Sequence, residues 1–321
     1  MQIVSEEAVK AAVSRADAFT AVESVFAAMA TGQAWNFPVV REAIGHADAL
    51  YGFKSGFDRD HMALGVKSGG YWPGNAARGL TNHQSTVLLF DPDTGQPRAL
   101  VGGNYLTAVR TAAASAVSIH HLARPDVKTL GIVGAGHQAP FQLRAAVEQR
   151  PIERVVAWNR SPERLEGLRE AAQAMGLPFE ALDRDTLCEQ ADVIITITSC
   201  FEPLLTSEQI RPGTHIACMG TDTAGKQEID PAILTGAEVF TDDPTQAATI
   251  GECQHAVAQG HIHRDAIRPI GRVTGDPGSF RRSAEAITVF DGTGVGLQDL
   301  AVARVAVERA AEAGTATRID L

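Results

Sequence analysis

The chain has 321 residues, 45% of them hydrophobic, enough for two domains with a sizeable core and no need of covalent staples. A formal net charge of −10 argues against nucleic acid and an anionic membrane surface as partners, yet leaves room for a small basic site that takes an anionic substrate. Cys188, Cys200, Cys218 and Cys253 show no Cys-x-x-Cys pairing and read as reduced thiols. With no secretion-signal pattern at the N-terminus and no apolar run long enough to span a bilayer, a cytoplasmic protein is expected.

In chain order, Glu6 to Ala30 reads as one helix, with Val9, Val13, Ala16, Phe19, Val22 and Phe26 on a single face. Leu50 to Phe57 and Ala63 to Lys67 read as strands. Thr86 to Phe90 and Arg98 to Val101 form a hairpin around Asp91-Pro92-Asp93-Thr94-Gly95. An alanine-rich helix follows, Leu106 to Leu122, with Thr107 as its cap, and Pro125-Asp126 reads as a linker. From Val127 the pattern becomes strand, helix, strand. Ser161-Pro162 opens a helix that stops at Gly176. Val193 to Thr198 is almost wholly apolar, as a strand buried on both faces requires, and His215 to Met219 and Glu238 to Thr241 are further strands. A last amphipathic helix runs from Leu297 to Ala313. The fold class is therefore α/β: a doubly wound, Rossmann-type sheet plus a mixed α+β domain. The expected division is 1–120 with 300–321 for the mixed domain and 121–299 for the sheet.

The run Thr129 to Ala139 is the most specific local signal. An apolar, β-branched strand turns on Gly134-Ala135-Gly136-His137-Gln138-Ala139 into a helix, and a second strand, Arg154 to Trp158, completes a βαβ unit. Gly134 permits the tight turn, Gly136 lets a pyrophosphate approach the backbone, and Ala139 lets helix and strand pack closely. The amides that open the helix face the phosphates, and Pro140 does not interfere because first-turn N–H groups have no intrahelical partner. A dinucleotide site is expected here.

Other residues are less decided by pattern alone. Arg110, one turn into the helix expected to begin near Thr107, suits a carboxylate, since its fork adds to the positive end of a helix dipole. Lys67 leaves a strand into Ser68-Gly69-Gly70 and reads either as an anion ligand or as a solvated side chain. Asp222, beyond the strand that ends at Met219, is placed where open α/β sheets bind ligands, and reads as an acid–base group or a turn cap. Thr196, Thr198 and Ser199 end a central strand beside the same crevice. Asp291 to Gly296 is glycine-rich and precedes a helix. His261-Ile262-His263 lacks further ligands at metal spacing, so no metal is expected. Arg281-Arg282 are left without a role.

Four stretches together resemble the ornithine cyclodeaminase/mu-crystallin family: Lys67 to Asn75, Leu88 to Ala114, Gly134 to Ala139 with Gln138, and Met219 to Glu228. Gly251 to His255 and Gly296 to Asp299 are similar too, so the likeness covers nearly the whole chain. The resemblance implies that Lys67 and Arg110, joined by Arg41, grip a substrate α-carboxylate. It also implies that Asp222 donates or accepts the proton beside the carbon that exchanges hydride, that Thr198 and Ser199 contact the cofactor, and that the protein is a homodimer built on its first domain. Family members interconvert amino acids and their imines with NAD or NADP; an imine reductase or amino-acid dehydrogenase is expected. A cyclodeaminase, an alanine dehydrogenase and a non-catalytic, NADPH-regulated binding protein like mu-crystallin are the alternatives.

At the end of the second strand, where NAD-preferring sites usually carry an acid, the sequence reads Trp158-Asn159-Arg160-Ser161. Arg160 and Ser161 suit a 2′-phosphate and Asn159 a plain ribose hydroxyl, so NAD and NADP both stay open. On the substrate side the chain departs from the cyclising members at Tyr71-Trp72 and Asn82-His83, with His83 a candidate substrate contact. Lys54 and Arg41 add positive charge. A small dicarboxylic imino acid suits this setting, and within the family the pattern points to iminosuccinate, reduced to L-aspartate.

Overall fold

The computed structural model describes residues 1–276, 280 and 283–320; Arg281 and Arg282 lie outside them. The chain forms two compact units, one of Met1–Arg110 with Val295–Leu321 and the other of Thr111–Gly294.

The first unit is built on a mixed sheet in the order Thr317–Arg318, Gln2–Val4, Pro97–Gly102, His83–Phe90, Ala63–Tyr71, Leu50–Asp58, Ala34–Asn36, with Val40–Ala43 also pairing with Leu50–Asp58. The helix Gly296–Glu312 lies on one face of it. A Cβ on Gly56 would come within 3.0 Å of Leu297, and one on Gly65 within 2.9 Å of Leu300, so these strands carry glycine where the helix sits closest.

The expected helix over Glu6 to Ala30 is two helices, Glu6–Ala12 and Arg15–Ala30. Ser14 breaks the run: its hydroxyl accepts the Asp17 N–H at 3.0 Å while the Asp17 carboxylate accepts the Ser14 N–H at 3.1 Å, a capping box that starts a new helix. Thr107 is not a cap. The helix begins at Asn104, and the Glu6 carboxylate takes the amides of Asn104 and Tyr105 at 2.6 and 3.0 Å. Arg110 therefore stands deeper in its helix than expected, beyond the reach of the terminal dipole. Lys67 does not leave its strand either. The strand runs Ala63–Tyr71, and Ser68-Gly69-Gly70 stay in the ladder. Gly69 and Gly70 are required because a Cβ there would run into the carbonyls of Gln84 and Leu50 on the neighbouring strands. These glycines serve close packing rather than flexibility.

The second unit is an eight-stranded, all-parallel sheet in the order Phe179–Ala181, Arg154–Trp158, Thr129–Val133, Val193–Thr196, His215–Cys218, Thr288–Asp291, Glu238–Thr241, Arg268–Pro269. Val193–Thr196 is buried throughout, as its composition foretold. The order reverses between Thr129–Val133 and Val193–Thr196, and ligands bind beyond the carboxyl ends of strands at such a switch point. The stretch opened by Ser161-Pro162 starts as a 3-10 turn, Pro162–Leu165, before the α-helix Glu166–Gln173. Among the described residues no helix is long and apolar enough to cross a membrane, and no group of His, Cys, Asp or Glu is arranged to hold a metal ion.

Candidate active site

In the first unit, Lys67 and Arg110 meet on one carboxylate that sequence spacing did not reveal. Asp299, fully buried in the first turn of Gly296–Glu312, accepts from Lys67 Nζ at 3.0 Å and from Arg110 Nε at 2.9 Å, both on Oδ1, and Lys67 Nζ also lies 2.9 Å from Oδ2. Gln298 Oε1 accepts from Arg110 Nη1 at 2.8 Å. Burial pushes the Asp299 carboxyl up, but the adjoining Arg110 and Lys67 charges outweigh it and hold the group below the ordinary carboxylate range. Burial lowers the Lys67 ammonium to about 7, with Asp299 opposing and Arg110 and Lys54 adding to the fall. The sequence signals for this carboxylate are the polar pair Gln298-Asp299 inside an otherwise apolar helix start and the likeness of Gly296 to Asp299 to the family.

Lys54 stands directly opposite Lys67 in the antiparallel ladder, so both side chains leave the same sheet face. His83, at the start of its strand and opposite Tyr71, lies in the same field; burial first, then the Lys67 and Arg110 charges, push it down to about 3 and leave a neutral imidazole. Arg41 is half-buried on the strand Val40–Ala43, opposite Gly52. Two cations, Lys67 and Arg110, thus meet on one buried carboxylate, and the Lys54 charge also acts on it.

In the second unit, Gly134 has φ +119°, a conformation L side chains rarely adopt, and a Cβ there would come within 2.6 Å of the Ile197 carbonyl. Its N–H donates to Trp158 O at 2.9 Å, which ties the turn to the second strand. A Cβ on Gly136 would meet nothing within 4 Å, so the backbone there is open to an approaching group. Ala135 is half-buried, Gly136 and His137 are exposed, and Gln138 carries a buried Oε1 with no protein partner just before the helix Ala139–Val147. An open glycine turn followed by first-turn amides fits the pyrophosphate of a dinucleotide. Asn159 Nδ2 donates to Ser161 O at 2.8 Å, which shapes the loop after the second strand, and Arg160 is exposed.

The strand expected to reach Thr198 ends at Thr196; Thr198 and the exposed Ser199 follow in irregular chain. Glu228 explains the break. Its fully buried carboxylate accepts from Thr196 Oγ1 at 2.7 Å, Thr198 N at 2.6 Å, Thr198 Oγ1 at 2.7 Å and Gly220 N at 3.0 Å. Glu252 accepts from Thr221 Oγ1 at 2.5 Å and from the amides of Glu228 and Ile229 at 2.8 and 2.7 Å. Burial pushes both carboxyls above the ordinary range. Together they fasten the loop that bears Asp222. Asp222 itself is half-buried, 2.8 Å from Lys226 Nζ, and accepts from Thr223 Oγ1 at 3.1 Å. No local pattern pointed to Glu228 or Glu252.

The model of the ornithine cyclodeaminase/mu-crystallin family matches residues 1–314. This chain belongs to that family. It is 55% identical over 321 residues to the iminosuccinate reductase of Paracoccus denitrificans, with all of both chains covered. The crystal structure of that enzyme in complex with NAD+ superposes with a TM-score of 0.96, covering 100% of this chain and 99% of the other. An archaeal alanine dehydrogenase dimer with bound NAD is 31% identical at a TM-score of 0.94, covering 100% of this chain and 99% of its own. The Δ1-pyrroline-2-carboxylate reductase of Thermococcus litoralis, in complex with NADH and L-proline, is 28% identical at 0.93, covering 99% of this chain and 100% of its own. The Rossmann-type α/β fold and the expected family both hold. The chain is an oxidoreductase that uses NAD or NADP and acts on carbon–nitrogen bonds.

Proposed function

We propose that this protein reduces iminosuccinate to L-aspartate with NADH or NADPH. The observation that carries this reading is the surplus of buried positive charge around Asp299, on a chain 55% identical along its full length to an iminosuccinate reductase. Lys67 and Arg110, with Arg41, hold the α-carboxylate and fix the imine carbon, the positioning contribution to catalysis. Asp299 keeps the two cations in place, and the neutral His83 offers a hydrogen bond without adding charge. Asp222 holds the proton that the imine nitrogen takes up, since a protonated imine accepts hydride more readily. Gly134, Ala135, Gly136, His137 and Gln138 hold the pyrophosphate, Asn159, Arg160 and Ser161 the adenosine ribose, and Thr198 and Ser199 the edge of the cofactor crevice. When bound, the nicotinamide supplies the hydride.

The deciding assay supplies oxaloacetate with ammonia and follows oxidation of NADH and of NADPH separately. Turnover with either supports the reading. Failure with oxaloacetate, while pyruvate with ammonia turns over, would replace it with an alanine dehydrogenase; release of ammonia from ornithine without net cofactor turnover would replace it with a cyclodeaminase. Asp222→Asn should lower kcat by about 10²- to 10⁴-fold and leave cofactor affinity nearly intact; undiminished kcat removes the role given to Asp222.

We also place the enzyme in the cytoplasm, where a reducing thiol pool suits its free cysteines Cys188, Cys200, Cys218 and Cys253, and read it as a homodimer, as the archaeal alanine dehydrogenase is described.

A further inference from the structure

We propose that Gln254 is a positioning residue for Asp222, holding the loop that bears the acid in the conformation from which its proton is passed on. That role rests on the reading of Asp222 as the proton donor, and names what keeps its carboxyl group in place. The run Gly251 to His255, which resembles the family but enters none of the steps above, thereby gains a function.

The loop is a turn. Thr223 O accepts the Lys226 N–H at 3.2 Å, and Gly225, at φ +86°, takes the left-handed conformation that such a turn needs at its third residue. Ala224 and Gly225 are exposed, and a glycine at the surface has many other conformations open to it. One glutamine amide removes them. Gln254 Oε1 accepts the Gly225 N–H at 2.7 Å. Its Nε2 lies 3.2 Å from the Lys226 carbonyl, 3.4 Å from the Thr223 carbonyl and 2.9 Å from the Gly251 carbonyl, two N–H groups shared among three acceptors. The neighbouring His255 donates from Nε2 to the same Lys226 carbonyl at 3.1 Å.

The grip reaches the acid through two side chains. Lys226 Nζ pairs with Asp222 Oδ1 at 2.8 Å, and Thr223 Oγ1 donates to the same oxygen at 3.1 Å. Both groups stand on residues whose main-chain carbonyls Gln254 holds, so a shift of the turn would rotate the carboxylate. Gln254 is itself anchored. Its helix, Cys253–Ala258, begins where the Asp291 carboxylate, at the end of a central strand, accepts the Cys253 N–H at 3.0 Å. Gly251 lets the chain come in there, since a Cβ on it would lie 2.6 Å from that same carboxylate oxygen. Support therefore runs from the parallel sheet through Gln254 to Asp222. Reacting groups tolerate little displacement: a misplacement of about 1 Å can cost about a hundredfold in rate.

To test this, kcat, KM and NADH affinity, the last by fluorescence titration, are compared in the wild-type enzyme, Gln254→Met, Gln254→Glu, Asp222→Asn and the double variant Gln254→Met with Asp222→Asn. Methionine keeps the length of the side chain and loses every polar bond; glutamate keeps the acceptor for Gly225 and turns an oxygen towards the three carbonyls. Each Gln254 variant should lower kcat by roughly 10- to 100-fold while KM and the NADH dissociation constant stay within about threefold. In the Asp222→Asn background, Gln254→Met should cost no more than about a further twofold, because residues that act through one group are not additive. Wild-type kcat in both Gln254 variants, with Asp222→Asn impaired, would overturn the proposal and leave the role of the acid in place. So would a loss that falls on KM or on NADH affinity instead of kcat, or one that multiplies with Asp222→Asn. Undiminished kcat in Asp222→Asn removes the role of the acid and this proposal with it. The series is run on oxaloacetate with ammonia and on pyruvate with ammonia. Turnover of pyruvate alone would change the substrate assigned above and leave the Gln254 comparison to be read on pyruvate; turnover of neither sinks both. If Gln254→Met does not fold, Gln254→Glu carries the comparison, alone and with Asp222→Asn.

Discussion

Lys67 is the residue at which the chemistry of the first unit becomes sensitive to pH. Burial holds its ammonium near 7 in the free protein, far below an ordinary lysine. Below that value it carries its charge and attracts a carboxylate; above it the charge is lost, and an anion binds only by first restoring the proton. The dissociation constant of succinate, a diacid that cannot be reduced, should therefore be flat below pH 7 and rise by about tenfold per unit above it. Titration calorimetry between pH 6 and 9 checks this. Lys67→Arg, whose guanidinium stays charged throughout, should flatten the rise. A curve that is level up to pH 9 in the wild-type protein would mean that Lys67 keeps its proton or takes no part in anion binding.

The element that does most for the second unit is the strand–turn–helix from Thr129 to Val147, and its sensitive point is Gly134. Gly134→Ala forces a side chain into a φ of +119° and against the Ile197 carbonyl, at a cost of about 1–3 kcal/mol for the backbone alone. A fall in melting temperature and a loss of at least about tenfold in NADH affinity are expected; unchanged cofactor fluorescence titration would show that the turn does not hold the dinucleotide. This element was legible in the sequence because its signals are local: two glycines, an apolar run and a small residue at fixed spacing. The break at Ser14 was missed, because the apolar periodicity running through it obscured the capping box that Ser14 and Asp17 form. The Asp299 cluster was missed as well. Lys67 and Asp299 stand 232 positions apart, and Glu6 caps a helix 98 positions away. Such pairs are made by the fold and leave no spacing behind. Glu228 and Glu252 were hidden for the same reason: a buried carboxylate looks in sequence like any surface glutamate, and only its ring of donors distinguishes it.

At the scale of the whole molecule, the outer face of the first sheet carries an exposed apolar patch that the proposed homodimer would cover. Val40 and Phe53 pair in register, 41% and 40% exposed, and Phe53 stacks edge-on against Tyr51 with ring centroids 5.6 Å apart. Alternation sends Phe53 and Lys54 to opposite faces, so this apolar surface is independent of the charged one. Contiguous exposed apolar side chains of this kind mark interaction surfaces. Phe53→Glu should shift the protein from dimer to monomer in analytical ultracentrifugation; a wild-type protein that sediments as a monomer, or a variant that stays dimeric, would place the contact elsewhere. In the second unit, one carboxyl group, that of Glu228, braces both Thr198 at the crevice and Gly220 beside the acid's loop. Altering position 198 would therefore disturb the loop that bears Asp222 too, and a mutant library that varies 198 and 228 jointly should recover active combinations that single-site screens discard.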